Sequence, residues 1–166
     1  KNEIKAMLDT SFVTDFSNNP KHFGAKDICD LHFANLLNAY TCTECGRCTD
    51  ECPANQTGKL LSPRKIMIST RNRVEELIRN PENELNLLDN HITREELWAC
   101  TTCNACVEAC PLNIDPLDII IQMRQYLVME ESSAPQSINA MNTNIENNGA
   151  PWAYSQADRG IWTKED

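Results

Sequence analysis

The chain has 166 residues, is 41% hydrophobic but only 6% aromatic, and carries a net charge of −9 at pH 7. That length allows one ordinary domain or a small core with extended flanks, and the composition predicts an aliphatic, helical interior. The acidic balance excludes a nucleic-acid binder, which holds phosphates with clustered Lys and Arg, and no apolar run reaches the roughly 18–20 residues of a membrane span.

Residues 1–24, beginning "KNEIKAMLDTSFVTDFSNNP", read as a linker. An opening at Lys1 with no secretory pattern predicts one part of a longer product. "AKDICDLHFANLLNAY", residues 25–40, predicts one helix with Asp27 at its N-cap and Ile28, Leu31, Leu36 and Leu37 near helical spacing. It leads into "TCTECGRCTDECP", residues 41–53. A second helix follows, with Ser62 as N-cap, Pro63 at the first helical position and Ile66, Thr70, Val74 and Leu77 on one face. Pro81 closes it. Arg64, Lys65, Arg71 and Arg73 on this helix are expected to form a solvated basic face. The polar "PENELNLLDNHI" reads as a turn, and Thr93 with Glu96 then forms a capping box for a short helix. That helix runs into "ACTTCNACVEACP", residues 99–111. Asp115 and Pro116 start the next helix, apolar nearly all round and so expected to be buried on more than one face. From Ser132 the chain is Asn-rich; Ile138, Met141 and Ile145 could line a short helix ending near Gly149, followed by a tail, "PWAYSQADRGIW".

Nine cysteines are the outlying count. An odd total with two matched tetrads fits metal ligation in a reducing compartment better than a disulfide framework. Cys42, Cys45, Cys48, Cys52 and Pro53 have the same gaps as Cys100, Cys103, Cys106, Cys110 and Pro111. Three thiolates on one tight loop take three corners of an iron–sulfur cube, and the fourth, before the proline, meets a neighbouring cluster. Zinc would use pairs of C-x₂-C thiols and leave the third cysteine and the C-P ending unexplained in both runs. Two [4Fe–4S] clusters are therefore expected, with all eight cysteines as ligands. Cys29, outside both tetrads, reads as a buried free thiol. His22, His32 and His91 show no metal spacing. Gly46 is expected to let the first loop bend close to sulfur, a need that Ala105 in the second loop shows not to be absolute. Trp98, beside Cys100, is expected to cover a cluster and exclude water.

No segment alternates in the manner of a strand, so the fold expected is all-α. Residues 25–131 form the two-cluster domain, with an N-terminal flank at 1–24 and a C-terminal extension at 132–166.

The paired runs separated by a helix resemble the α-helical ferredoxin domain of heterodisulfide reductase subunits and of the iron–sulfur subunits of succinate dehydrogenase and anaerobic glycerol-3-phosphate dehydrogenase. "FGAKD", "YTCTECGRCTDECPANQTGKLLSPRKIM", "LWACTTCNACVEACP" and "NGAPWAYSQADR" further resemble a bacterial family of heterodisulfide-reductase-like iron–sulfur oxidoreductases. In that family a membrane domain precedes this one and cysteine-rich CCG domains follow; neither lies in these residues. The resemblance implies that Cys42, Cys45, Cys48 and Cys110 hold one cluster and Cys100, Cys103, Cys106 and Cys52 the other. Succinate dehydrogenase subunits with a three-iron cluster lack a cysteine at the position of Cys103, so its presence implies two four-iron clusters. It also implies partners, a membrane electron donor and a CCG-type domain, and a cytoplasmic place at the inner face of the membrane through the parent protein.

Fully cysteine-ligated cubes leave no open iron for a substrate, and the sequence offers neither a nucleotide loop nor a catalytic constellation. The expected function is single-electron relay between a membrane or flavin donor and a two-electron site elsewhere. The alternatives are a complete enzyme, which lacks a visible substrate site here, and a structural iron–sulfur or zinc domain without a redox role.

Overall fold

The computed structural model describes residues 23–163, which are helical with no strand among them; the N-terminal linker expected at 1–24 falls almost wholly outside this range, as does His22. Two compact units divide the chain, one ending at Glu131 and one beginning at Ser132.

The first unit is built twice from one pattern. In its first half, α1 (Phe33–Thr41) ends at Cys42, α2 (Arg47–Asp50) carries Cys48, and α3 (Pro53–Gln56) follows Cys52. The long helix α4 (Pro63–Arg79) closes that half. In the second half, α5 (Arg94–Ala99) ends at Cys100, α6 (Ala105–Glu108) carries Cys106, and α7 (Pro116–Met129) follows the turn after Cys110. The caps read from the sequence form as local chemistry requires. Ser62 Oγ accepts from the Lys65 amide at 3.3 Å, Thr93 and Glu96 make a reciprocal capping box, and Asp115 Oδ1 accepts from Leu117 and Asp118 at 2.9 and 3.1 Å. Each side-chain acceptor satisfies an amide that the first helical turn leaves unpaired.

The core lies between α4 and α7, which pack on each other, with α1 against both and α5 and α6 against α7. Ile66 and Met67 of α4 meet Ile119, Ile120, Met123 and Leu127 of α7 in one buried cluster that also takes in Leu97 of α5. Burying each large aliphatic side chain contributes about 1.5–3 kcal/mol, and α7, apolar nearly all round, is held by four neighbouring helices at once. Val74 and Leu77 pack at the edge of this cluster.

Three expectations are corrected. The single helix over 25–40 is broken: Ile28–Asp30 is a 3₁₀ turn, Leu31 and His32 are extended, and the α-helix starts only at Phe33. Asp27 does not head a long helix because its carboxylate is taken by tertiary partners. Oδ1 accepts from Arg73 Nε at 3.0 Å and the Leu87 amide at 2.9 Å, and Oδ2 from Arg73 Nη2 at 2.8 Å. Leu37 accordingly faces out, while Leu36 packs on the core. Second, the basic face of α4 is not uniformly solvated. Arg73 is 1% exposed, ion-paired with Asp27 and Glu76 and donating to the Leu85 carbonyl. Lys65 reaches the buried Glu96 at 2.6 Å, tying α4 to α5. Third, Cys29 is exposed, because the 3₁₀ turn points Ile28 and Leu31 inward instead. His91 is a structural residue, its Nε2 3.0 Å from Glu76 Oε2.

The second unit contains α8 (Gln136–Asn148), capped by left-handed Gly149, and a 3₁₀ segment, Gln156–Thr163. Asn144 Nδ2 donates to the Pro151 carbonyl at 3.1 Å and folds the chain back on the helix end.

Candidate metal centre

Each cysteine loop needs two residues in the left-handed region, where glycine is free and most L-residues are strained. In the first loop these are Glu44 and Gly46, at φ 59° and 90°; in the second they are Thr102 and Asn104, at 56° and 62°. The counterpart of Gly46 is thus Asn104 and not Ala105, which is already helical. The need is common to both loops, and Asn meets it because its short amide tolerates this conformation.

Cys42, Cys45 and Cys48 of the first run share a pocket with Cys106 and Cys110 of the second, walled by Met67, Leu112, Ile114, Pro111 and Pro116 and edged by Arg64. The Cys48 thiol interacts electrostatically with Cys42, Cys110 and Cys45. The Cys100 thiol interacts with Cys52 and Cys103, and Cys106 with Cys100 and more weakly with Cys48. Helices α2 and α6, each carrying the third cysteine of its run, pack face to face. Burial pushes the Cys48 and Cys100 thiols above the ordinary value and that of Cys106 up to about 12, with neighbouring thiols adding in the same direction. Such thiols stay protonated in apolar surroundings until a metal displaces the proton.

The donor set fits iron–sulfur clusters. Among the described residues, no three Cys, His, Asp or Glu side chains close on a single ion. Cys42, Cys45, Cys48, Cys106 and Cys110 instead stand around a hollow with largely apolar walls, the soft sulfur set that a four-iron cluster takes.

Around the second loop stands a residue that sequence reasoning passes over. Arg124 of α7 donates from Nε to the Leu97 carbonyl at 2.9 Å and from Nη2 to the Leu97 and Cys100 carbonyls. Its guanidinium lies 5.0 Å from the centre of the half-buried Trp98 ring. Trp98 thus sits beneath Arg124 and against the core. A signal for it exists in the chain: Arg71 stands eight residues after Pro63 and Arg124 eight after Pro116, the same place in each half.

Residues 34–111 match the family model described as a 4Fe-4S dicluster domain, and residues 99–124 that of a 4Fe-4S binding domain. The chain is 34% identical over 188 residues to a probable iron-sulfur-binding oxidoreductase, FadF, of Bacillus subtilis, covering 91% of this chain and 27% of that protein. It is 32% identical to the EtfAB:quinone oxidoreductase of Syntrophomonas wolfei, over 86% of this chain and 24% of that protein. It is also 31% identical to one subunit of the ferredoxin/F(420)H(2)-dependent CoB-CoM heterodisulfide reductase of Methanosarcina acetivorans, over 68% of this chain and 60% of that polypeptide. The chain therefore spans about a quarter of the length of the first two relatives. Its helical core is a ferredoxin-like domain of the family that includes this heterodisulfide reductase component, an electron-transfer module binding two [4Fe–4S] clusters. No helix among the described residues is long and apolar enough to cross a membrane.

Proposed function

We propose that Cys42, Cys45, Cys48 and Cys110 hold one cluster and Cys100, Cys103, Cys106 and Cys52 the other, each run giving its fourth thiol to its neighbour. One observation carries this reading: Cys110 of the opposite run lines the same pocket as Cys42, Cys45 and Cys48, and Cys52 lies close enough to Cys100 for the two to interact. The C-P junction supports it, since Cys52 and Cys110 stand where the chain leaves its loop for a new direction. Each cluster, when bound, takes up or releases one electron. The residues of this chain hold the pair close, exclude water with Met67, Ile114 and the proline walls, and offer no open coordination site for a substrate.

The module relays single electrons between a membrane or flavin donor and a two-electron site in a larger oxidoreductase. The relative named for EtfAB and quinone supports a partner of either kind. Because quinones dissolve in the lipid phase, the proposal places the module at the cytoplasmic face of the membrane, held there by other domains or subunits, with a CCG-type domain as the further partner. The domain limits proposed are 25–131 for the cluster domain, 1–24 for an N-terminal linker and 132–166 for a C-terminal extension.

The test is cluster-resolved electron paramagnetic resonance on the dithionite-reduced protein. Cys52→Ala should damage the cluster of Cys100, Cys103 and Cys106 and spare that of Cys42, Cys45 and Cys48; Cys110→Ala should do the reverse. Loss of the cluster of its own run in Cys52→Ala would show that ligation is local. A protein that is not reduced reversibly would sink the relay.

A further inference from the structure

The two cysteine runs share the same gaps, and one pair of positions differs between them in charge. Two residues after the first cysteine of each run stands a left-handed residue: Glu44 in the first, Thr102 in the second. Eight residues into each long helix stands an arginine: Arg71 and Arg124. In the first half these residues meet, Arg71 Nη2 being ion-paired with Glu44 Oε1, and the charge of Arg71 that Cys42 feels is cancelled within the pair. In the second half Thr102 has no charge to offer. Among the described residues no carboxylate pairs with Arg124, whose donors go instead to the carbonyls of Leu97 and Cys100. A half-buried cation without a carboxylate partner therefore lies against the second run, and a carboxylate-paired one against the first.

We propose that Arg124 is a positioning residue for the Cys100 loop whose uncompensated charge makes the cluster bound there the more readily reduced of the two, so that the relay has a built-in direction toward the second run.

A fixed positive charge favours the form of a cluster that has gained an electron, and it acts more strongly where water is scarce. The Thr102 amide adds to the effect by donating to Cys100 Sγ at 3.4 Å, since hydrogen bonds to ligating sulfur stabilise the more negative state. Three other charges lie nearby and do not reverse it. Arg47 and Arg64 edge the first pocket but are exposed, where water and salt screen them. Asp115 interacts with Cys106 of the second run and opposes Arg124 there, while its chain neighbours Ile114 and Pro116 line the first pocket. Its carboxylate is also met by the Leu117 and Asp118 amides at the start of α7.

The inference rests on the ligand sets proposed above, and its test separates the two. Potentiometric titration of the cluster-loaded chain, followed by paramagnetic resonance, gives a potential for each cluster, with Cys103→Ser marking which signal belongs to the second run. Arg124→Gln should lower the second cluster's reduced-to-oxidised ratio at fixed potential about tenfold, equal to about 59 mV for a one-electron couple, and leave the first unmoved. Thr102→Glu, which supplies the missing counter-charge, should shift it the same way. Arg124→Lys, which keeps the charge and loses the fork, should restore most of it. Glu44→Gln should raise the first cluster instead. If both clusters form in Arg124→Gln and Thr102→Glu and neither potential moves, or both move alike, the inference is overturned while the relay stands. A wild-type chain without two reducible clusters overturns both.

Discussion

Arg73→Leu puts the heaviest strain on the first unit, because the arginine links three segments distant in sequence. Its guanidinium makes three contacts with the Asp27 carboxylate, at 2.8, 3.0 and 3.3 Å. It also reaches Glu76 Oε2 at 3.2 Å and the Leu85 carbonyl. The side chain is 1% exposed and that of Asp27 17%, so leucine would fill much of the space but leave a shielded carboxylate without its cation. Removing one partner of a buried ion pair costs about 3–5 kcal/mol. Against a total of about 5–15 kcal/mol for a domain of this size, that is a large share. The prediction is a fall of about 3 kcal/mol or more in unfolding free energy, measured by anaerobic urea denaturation of the cluster-loaded protein and followed by helical circular dichroism. Asp27→Asn in the same chain removes the stranded charge while keeping Oδ1 for the Leu87 amide, which it accepts at 2.9 Å. The double variant should therefore recover about 1–2 kcal/mol. A loss under about 1 kcal/mol for Arg73→Leu, or strict additivity with Asp27→Asn, would refute the claim that this pair pins the start of the domain to α4.

Gly24→Ala should destabilise the same region by roughly 2–4 kcal/mol. Gly24 has φ +74°, and a Cβ there would run into the Gln122 carbonyl and lie 2.5 Å from the Tyr126 amide, so thermal unfolding should begin at a lower temperature; an unchanged midpoint would contradict the close approach of backbone to α7. Glu96 governs an acid limb of stability. Burial raises its carboxyl, but the bonds from Lys65 and Thr93 outweigh burial and hold it below its ordinary 4.5. A depressed folded value means that its stabilisation is complete above pH 4.5 and is lost as pH falls through the folded value. Glu96→Gln should flatten that limb relative to wild type in pH-dependent denaturation, and a parallel pair of curves would assign the acid loss elsewhere.

Short-range chemistry was legible from residues close in the chain. Ser62, Thr93 and Asp115 cap their helices because an acceptor needs only reach an amide two or three residues on. The helical period of α4 and the all-round apolarity of α7 foretold their burial, because a 3.6-residue turn converts spacing directly into faces. The cysteine gaps likewise announced the metal chemistry, since ligand spacing is a property of one tight loop. Contacts across the chain were decided otherwise. Asp27 looked like the cap of a long helix, and only the arrival of Arg73 and the Leu87 amide made it a junction that stops one. Arg73 looked like its solvated neighbours on α4, and Cys29 like a buried thiol. Each was reversed by which side of the element met the core, a choice set by partners dozens of residues away. The left-handed pairs Glu44 with Gly46 and Thr102 with Asn104 show the two kinds of information together. Gly46 and Asn104 stand out by residue type, because each tolerates positive φ. That Glu44 neutralises Arg71 while Thr102 leaves Arg124 unpaired depends on how α4 and α7 lie against the loops, and only the folded chain brings those side chains within reach of one another.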